Sequence, residues 1–278
     1  MAPTHALNHE QVAAYLGRIG IGTGTGIDTG TGTAGQPVAP DADTLRRLHS
    51  AHLHTVPFEN LSIHLDEPVP LDGTALFEKI VGHRRGGFCY ELNGLFALLL
   101  EALGYRVHRL SARTFSTAHG YSPPLDHLAL QVVDGSGGTW LADVGFGRHT
   151  EFPLRFEDRA DQKDPGGLFR IVENDDAEFT VLRDGEVQYR VDPKPLALAD
   201  FTQACWWQCT SPESHFTQNV ICSRLTEDGR VTLTGDQLIT TDGTGRRVQE
   251  VASDEELLDL LRERFGIELA RAPRRKQA

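Results

Sequence analysis

The run RRGGFCYELNGLFALLLEALGY, Arg84 to Tyr105, decides how the chain is read. It sets one cysteine, Cys89, between two glycines and an almost wholly apolar stretch. A helix that is apolar all round is a buried one. GFCYELNGLFALLLEALGY is therefore predicted as the central helix, the fourth in order. Gly86 and Gly87 let the backbone turn sharply and pass close to a neighbour. The unpaired amides and positive dipole end of a helix start favour a thiolate over a thiol. Arg84 and Arg85 add positive potential. The opposing reading is an inert core cysteine, which is common for this residue type. Local context leaves nucleophile and filler both open.

Working upstream, HEQVAAYLGRIG starts as a short amphipathic helix with Val12, Tyr15 and Leu16 on one face. The Gly/Thr run GIGTGTGIDTGTGTAGQPVAPD reads as a flexible surface loop. No Gly-Lys-Ser/Thr follows it, so a phosphate-binding loop is not supported. DADTLRRLHSAHLHTV is a second helix capped by Asp41 or Asp43. VPFENLSIHL is irregular, because Pro57 disfavours helix before it. GTALFEKIVGHRR is a third short helix.

Downstream of Gly104 the period changes. RVHRLSARTFS, HLALQVV, TWLADVGF, LFRIVE, FTVLR and EVQYRV read as strands of a small antiparallel sheet or barrel. ADFTQACWWQCTSPESHF returns to helix and loop. The segment from Val220 to Ala252 reads as strands with turns at Asp228-Gly229 and Asp242-Gly243. SDEELLDLLRERFGI is a closing helix with a capping box of Ser253 and Glu256.

The chain has 278 residues, 39% hydrophobic, with four cysteines and a formal net charge of −12. That suffices for one sizeable core or two to three small ones. No run of about 18 apolar residues marks a membrane span. The N-terminus lacks the pattern of a secretory signal. Four cysteines in a chain this long are not a disulfide framework, so a cytoplasmic protein with reduced thiols is expected. An acidic chain is a poor fit to nucleic acid. The basic tail RAPRRKQA is read as a frayed, solvated terminus.

A nucleophilic cysteine needs a base, and the base an orienting group. In DHLALQVVDGSGGTWLADVGFG two strands flank a turn. A turn centred on Ser136 puts His127 opposite Gly145, and Asp143 two residues away on the same face. Such diagonal neighbours have Cα atoms roughly 7–8 Å apart, within reach of an imidazole–carboxylate hydrogen bond. A slip of one residue would separate them.

RGGFCYELN, DHLALQV and WLADVGFG, with VPFENL upstream and SHFTQNVICSR downstream, resemble the arylamine N-acetyltransferase family in order and spacing. The likeness runs from about Tyr15 to the closing helix. It implies an α+β fold in three parts: a helical bundle (1–105), an antiparallel β-barrel (106–204) and an α/β lid (205–278). The catalytic core would be like that of papain-like proteases and transglutaminases. It implies Cys89 as nucleophile, His127 as base and Asp143 as carboxylate. The implied reaction is ping-pong acetyl transfer from acetyl-coenzyme A to an arylamine, arylhydrazine or arylhydroxylamine. The thiol and imidazole would act as an imidazolium–thiolate pair, and backbone amides near Cys89 would hold the oxyanion.

By the same resemblance Phe58, Tyr90, Phe146 and Phe216 contact the aromatic acceptor, with core packing as the alternative for each. Thr114 stands where the family tends to have an apolar pocket residue. Gly145 and Gly147, beside Phe146, admit the pantetheine arm or pyrophosphate of coenzyme A. Arg85 and Glu91 set the field of Cys89 or hold its loop. The implied partners are the aromatic amine and acetyl-coenzyme A as co-substrate, with no tightly bound cofactor and no metal. The Gly/Thr run departs from the family pattern. An amide synthase or thioester hydrolase with the same triad is the near alternative. A zinc module built on Cys205, Cys209, His215 and Cys222 is the distant one, since its spacing matches no familiar zinc pattern. Oligomeric state is left open.

Overall fold

A computed structural model describes residues 6–22 and 39–274. Most of the Gly/Thr run (23–38) and the last four residues lie outside the described residues, and the surface-loop expectation lies there with them.

The predicted central helix is α5, Cys89–Ala102, buried from Cys89 through Leu100. Around it stand α1 (His9–Arg18), α2 (Ala42–Thr55), and the short α3 (Leu61–His64) and α4 (Gly73–Phe77). Asp41, not Asp43, caps α2, accepting the Thr44 N–H at 2.8 Å. The predicted third helix is only partly α: after α4 the chain widens into a π-helical turn, Glu78–Gly82.

After α5 the chain forms β2 (Arg106–Ser116), β3 (Gly120–Tyr121), β4 (His127–Val133), β5 (Thr139–Ala142) and β6 (Leu154–Arg155). There follow β7 (Gln162–Asp164), β8 (Gly167–Glu173), β9 (Phe179–Arg183) and β10 (Glu186–Leu196). They pair antiparallel in the order β6-β5-β4-β2-β10-β9-β8-β7, with β3 on β2, as a nearly closed barrel. The two edge strands are bridged by a side chain: Gln162 Oε1 accepts the Arg155 N–H at 2.8 Å, and its Nε2 donates to the Arg155 carbonyl at 2.9 Å.

The C-terminal part carries α6 (Thr202–Thr210), α7 (His215–Gln218), β11 (Ile221–Thr226), β12 (Gly229–Thr234), β13 (Gln237–Asp242), β14 (Gly245–Glu250) and α8 (Asp254–Phe265). Its five-stranded sheet begins with a strand from far upstream, β1 (Phe58–Glu59), where Phe58 opposes Ser223 and Glu59 opposes Cys222. Both expected turns fall one residue later or earlier than the Asp-Gly pairs. Thr226 pairs with Gly229, leaving Glu227-Asp228 as the turn, and Asp242 pairs with Gly245, leaving Gly243-Thr244.

Three apolar clusters hold these layers. One joins the helices to the α5-facing side of the barrel, through Phe96, Leu99, Leu128 and Leu130. A second fills the barrel with Leu110, Phe169, Ile171 and Tyr189. The third packs α8 on the C-terminal sheet and also takes Leu61 from α3 and Leu65 just after it. The expectation of a frayed basic tail fails over its described part. Ala272 is buried, the Arg274 N–H donates to the His64 carbonyl at 3.1 Å, and Arg271 binds the Leu65 carbonyl. No helix among the described residues is long and apolar enough to cross a membrane.

Candidate active site

Cys89 is the first residue of α5, where the helix leaves the Gly86-Gly87 turn. Both glycines are required by crowding. A Cβ on Gly86 would lie 1.9 Å from the Pro57 carbonyl oxygen, and one on Gly87 2.7 Å from the Glu91 side chain. Glu91 caps the helix start by accepting the Phe88 N–H at 3.2 Å and ion-pairs with Lys79 at 2.6 Å.

Arg85 does not serve the thiol. It is buried against Glu59, with Nε to Oε1 at 3.0 Å and Nη2 to Oε2 at 3.2 Å. Glu59 also accepts the Gly86 and Leu61 amides. Burial opposes its ionisation, but Lys79 and Arg85 outweigh burial and hold its carboxyl below the usual range. Arg85 and Glu91 therefore hold the loop in front of the nucleophile.

The β4–β5 register is the one that a turn centred on Ser136 dictates: Val133 opposes Thr139, and Leu130 opposes Ala142. His127 and Asp143 meet as that register requires, Nε2 to Oδ2 at 2.7 Å, both buried. The other imidazole nitrogen makes no bond to Asp143, and Cys89 is close enough to act on the charge of the ring. Burial alone would push His127 down. The Asp143 charge and hydrogen bond, helped by Cys89, reverse this and raise it to about 10. Asp143 is held below the usual carboxylate range, because His127 outweighs its burial.

Asn93 fixes this arrangement. One helical turn after Cys89, its Nδ2 donates to Asp143 Oδ1 (2.8 Å) and to the Leu128 carbonyl (2.7 Å). Its Oδ1 accepts the Val144 N–H at 2.9 Å. The Gly145 N–H adds a bond to Asp143 Oδ1 at 3.0 Å, and the Asp143 N–H donates to His49 Nε2 at 3.1 Å.

A cleft of about 830 Å³ opens over this group. Cys89, His127, Phe58, Thr114, Gly145, Phe146, Gly147 and Phe216 all line it. Phe146 stands edge-on to the His127 ring, centroids 5.2 Å apart. Phe216 packs on Phe58 and Phe88. Thr114 donates its hydroxyl to Asp126 Oδ2 at 2.6 Å.

Tyr90, expected at the acceptor, is placed elsewhere. It is fully buried and its hydroxyl reaches the Leu125 and Asp126 carbonyls at 2.8 and 2.9 Å, bracing the loop before His127. Neighbours in sequence on a helix point about 100° apart, so residue 90 cannot share the outlook of residue 89. Gly145 is a point of close approach rather than an opening: a Cβ there would lie 2.7 Å from Cys89 Cα. Gly147, with φ +88° and open space beside it, is the residue that leaves room.

The sequence reading missed Asn93, Trp207, Arg148 and Arg230, the last three of which line the cleft. Only Asn93 had a local signal, as a polar residue four positions after Cys89 inside an apolar run. The proposed zinc ligands do not converge. Cys222 is in the C-terminal core, His215 lines the cleft, and no group of three metal-binding side chains exists among the described residues.

Comparison with known proteins agrees with this geometry. A sequence model of the N-acetyltransferase family matches residues 41–274. The arylamine N-acetyltransferase / N-hydroxyarylamine O-acetyltransferase of Salmonella typhimurium is 35% identical over 240 residues, 84% of this chain and 85% of the relative. The arylamine N-acetyltransferase of Mycobacterium bovis is 36% identical over 239 residues, 83% of this chain and 84% of its own. Among solved structures, the Mycobacterium smegmatis enzyme superposes with a TM-score of 0.82 at 33% identity, covering 95% of this chain and 93% of that one. The Mycobacterium marinum enzyme in complex with CoA gives 0.80 at 31% identity, covering 92% of each. With a family match over most of its length and relatives above 30% identity, the chain belongs to the arylamine N-acetyltransferase family.

Proposed function

We propose that the enzyme transfers an acetyl group from acetyl-coenzyme A to the nitrogen of an aromatic amine, hydrazine or hydroxylamine through an acetyl-Cys89 intermediate. The observation that carries this is that Cys89 and His127 line one aromatic-walled cleft, with His127 bonded behind to the buried Asp143. The relative solved with CoA supports the choice of donor.

His127 is the proton carrier and Asp143 fixes its tautomer. With Nε2–H committed to Asp143, the facing nitrogen takes the Cys89 proton. The thiolate attacks the thioester carbonyl, and the tetrahedral oxyanion faces the first amides of α5. Coenzyme A leaves as its thiolate and takes the proton from the imidazolium. The amine then attacks the acetyl-cysteine, His127 accepts its proton, and the Cys89 thiol is restored with release of the amide. One sulfur serving both half-reactions gives ping-pong kinetics.

Phe58, Phe146 and Phe216 form the acceptor wall in this reading, and Gly147 leaves room for the donor. The segments 1–105, 106–204 and 205–278 then contribute the nucleophile, the base with its carboxylate, and the outer cleft wall. All four cysteines are free thiols, which supports a cytoplasmic setting.

The test is intact-mass analysis after mixing with acetyl-coenzyme A alone. An added acetyl group on Cys89, discharged by an aromatic amine and absent in Cys89→Ser, is the expected result. No covalent adduct, or an adduct that survives in Cys89→Ser, overturns the assignment.

A further inference from the structure

The segment that carries Asp143 and Phe146 runs from the end of β5 to β6 as a series of bends, with no helix or strand among the described residues 143–153. It nevertheless shapes two parts of the site. Asp143 meets His127 from its start, and Gly145, Phe146 and Gly147 line the cleft. It also presses on the nucleophile, since a Cβ on Gly145 would lie 2.7 Å from Cys89 Cα. A segment without a ladder must draw its order from other hydrogen bonds.

One side chain holds both of its ends. His49, on α2, is fully buried, with the Phe96 ring packed edge-on against it at 6.1 Å between centroids. Its Nδ1 meets the Glu151 carbonyl at 2.8 Å, and its Nε2 meets the Asp143 N–H at 3.1 Å. A carbonyl accepts and an amide donates, so Nδ1 must carry the proton and Nε2 must be bare. A single neutral tautomer satisfies both bonds, and a second proton would set one N–H against another. The ionisable groups around the ring are Asp143, Asp164, His52 and His149. Burial outweighs the Glu151 carbonyl and the two carboxylates and keeps the ring below the ordinary imidazole range, so it stays neutral.

The two ends differ in what else holds them. Glu151 Oε1 accepts the Ser50 hydroxyl at 2.9 Å and meets His54 Nε2 at 3.2 Å. The Glu151 N–H donates to Asp164 Oδ1 at 2.9 Å. The Asp143 N–H has His49 as its partner. Loss of His49 therefore leaves the far end tied and releases the near end, the one that carries the carboxylate.

We propose that His49 is a positioning residue of the transfer reaction, clamping the 143–151 segment so that Asp143 meets His127 and Phe146 keeps its place beside that ring. This rests on the acetyl-transfer reading above. His49 does not line the cleft and acts through the Asp143 backbone.

His49→Gln, His49→Asn and His49→Leu separate the two bonds. A glutamine can bring its carboxamide oxygen to the place of Nε2 and accept the Asp143 N–H. An asparagine reaches only as far as Nδ1 and donates to the Glu151 carbonyl. Leucine does neither. Two readouts are taken well below each melting temperature: the pH profile of iodoacetamide alkylation at the Cys89 peptide, and kcat/KM for acetyl-coenzyme A. His49→Leu is expected to slow alkylation at pH 7 about tenfold or more, moving the profile to higher pH, and to lower kcat/KM about 10²-fold. His49→Gln restores most of both, and His49→Asn little of either. A lower melting temperature with a wild-type profile and wild-type kcat/KM would make His49 an ordinary core residue and overturn the proposal. Recovery in His49→Asn that equals or exceeds that in His49→Gln overturns it as well. If leucine prevents folding, the comparison of glutamine with asparagine decides alone. Alkylation needs no acetyl group, so a wild type that transfers none, with the alkylation order intact, removes the reaction and keeps the clamp.

Discussion

Asp143→Asn separates the electrical role of the buried carboxylate from its shape. Asparagine keeps an oxygen for the Asn93 and Gly145 donors, but its amide then faces His127 Nε2. An amide donates, so the imidazole must present Nε2 as acceptor and move its proton to the nitrogen facing Cys89. The base is then blocked by its own tautomer. In a serine enzyme the same change costs about 10⁴ in kcat; a thiol needs less help from its base, so a loss of about 10²–10³ in acylation rate is expected here.

The stability effect is worked from His127. Its rise from 6.5 to about 10 is worth roughly 5 kcal/mol at ~1.4 kcal/mol per unit, near the ~3–5 kcal/mol for breaking a buried pair. A raised pKa stabilises fully below the unfolded value of 6.5 and loses that contribution as pH climbs through about 10. Asp143 is depressed, so its side of the pairing is present above its unfolded value of 3.8 and lost as pH falls through its folded one. The pair therefore stabilises most between about pH 4 and 6.5. At pH 6 the variant should melt roughly 6–20 °C lower than wild type, and the gap should narrow toward pH 10. Thermal melts at several pH values and stopped-flow acylation on the same samples check both halves. A melting gap independent of pH, or acylation within about threefold of wild type, would refute the ion-pair reasoning.

Two further outcomes follow from close packing around the nucleophile. Gly145→Ala puts a methyl 2.7 Å from both Cys89 Cα and Asn93 Nδ2, so backbone must shift; about 1–3 kcal/mol of stability and about 10²-fold of activity should be lost, read by melts and turnover. Glu59→Gln leaves Arg85 and Lys79 facing a neutral amide in a buried site and should cost about 3–5 kcal/mol in denaturant unfolding at pH 7. Because Glu59 is depressed, that contribution is present above its unfolded value of 4.5 and fades as pH falls through its folded value, so the gap to wild type should shrink in acid.

How much of this was legible in the sequence depends on how local each cause is. The β4–β5 register was legible, because a short turn fixes it and every opposed pair follows. The part of the cleft wall that Phe58 and Ser223 share was not. It requires β1, two residues long, to join β11 more than 160 positions later, a pairing that no local period encodes. The Asp-Gly turns misled for a physical reason. Gly229 is needed where strands touch, since a Cβ there would lie 2.0 Å from the Thr241 carbonyl oxygen, and it therefore pairs instead of turning. Asp242 acts through its side chain, accepting the Thr244 N–H at 2.8 Å from the last paired position before the turn.

Asn93 is the case in between. A carboxamide inside an otherwise apolar helix must find partners or cost about 1–3 kcal/mol for each group left unpaired, so the residue itself announces that polar chain comes close. What it cannot announce is which chain. The structure supplies that: one oxygen of Asp143, the Leu128 carbonyl and the Val144 amide, drawn from β4 and from the turn after β5. Helical spacing puts Asn93 on the Cys89 face, and the hairpin register puts His127 beside Asp143. Each was readable alone. Asn93 is the bond that joins them, so the thiol and its base are held at one distance by a side chain that touches neither.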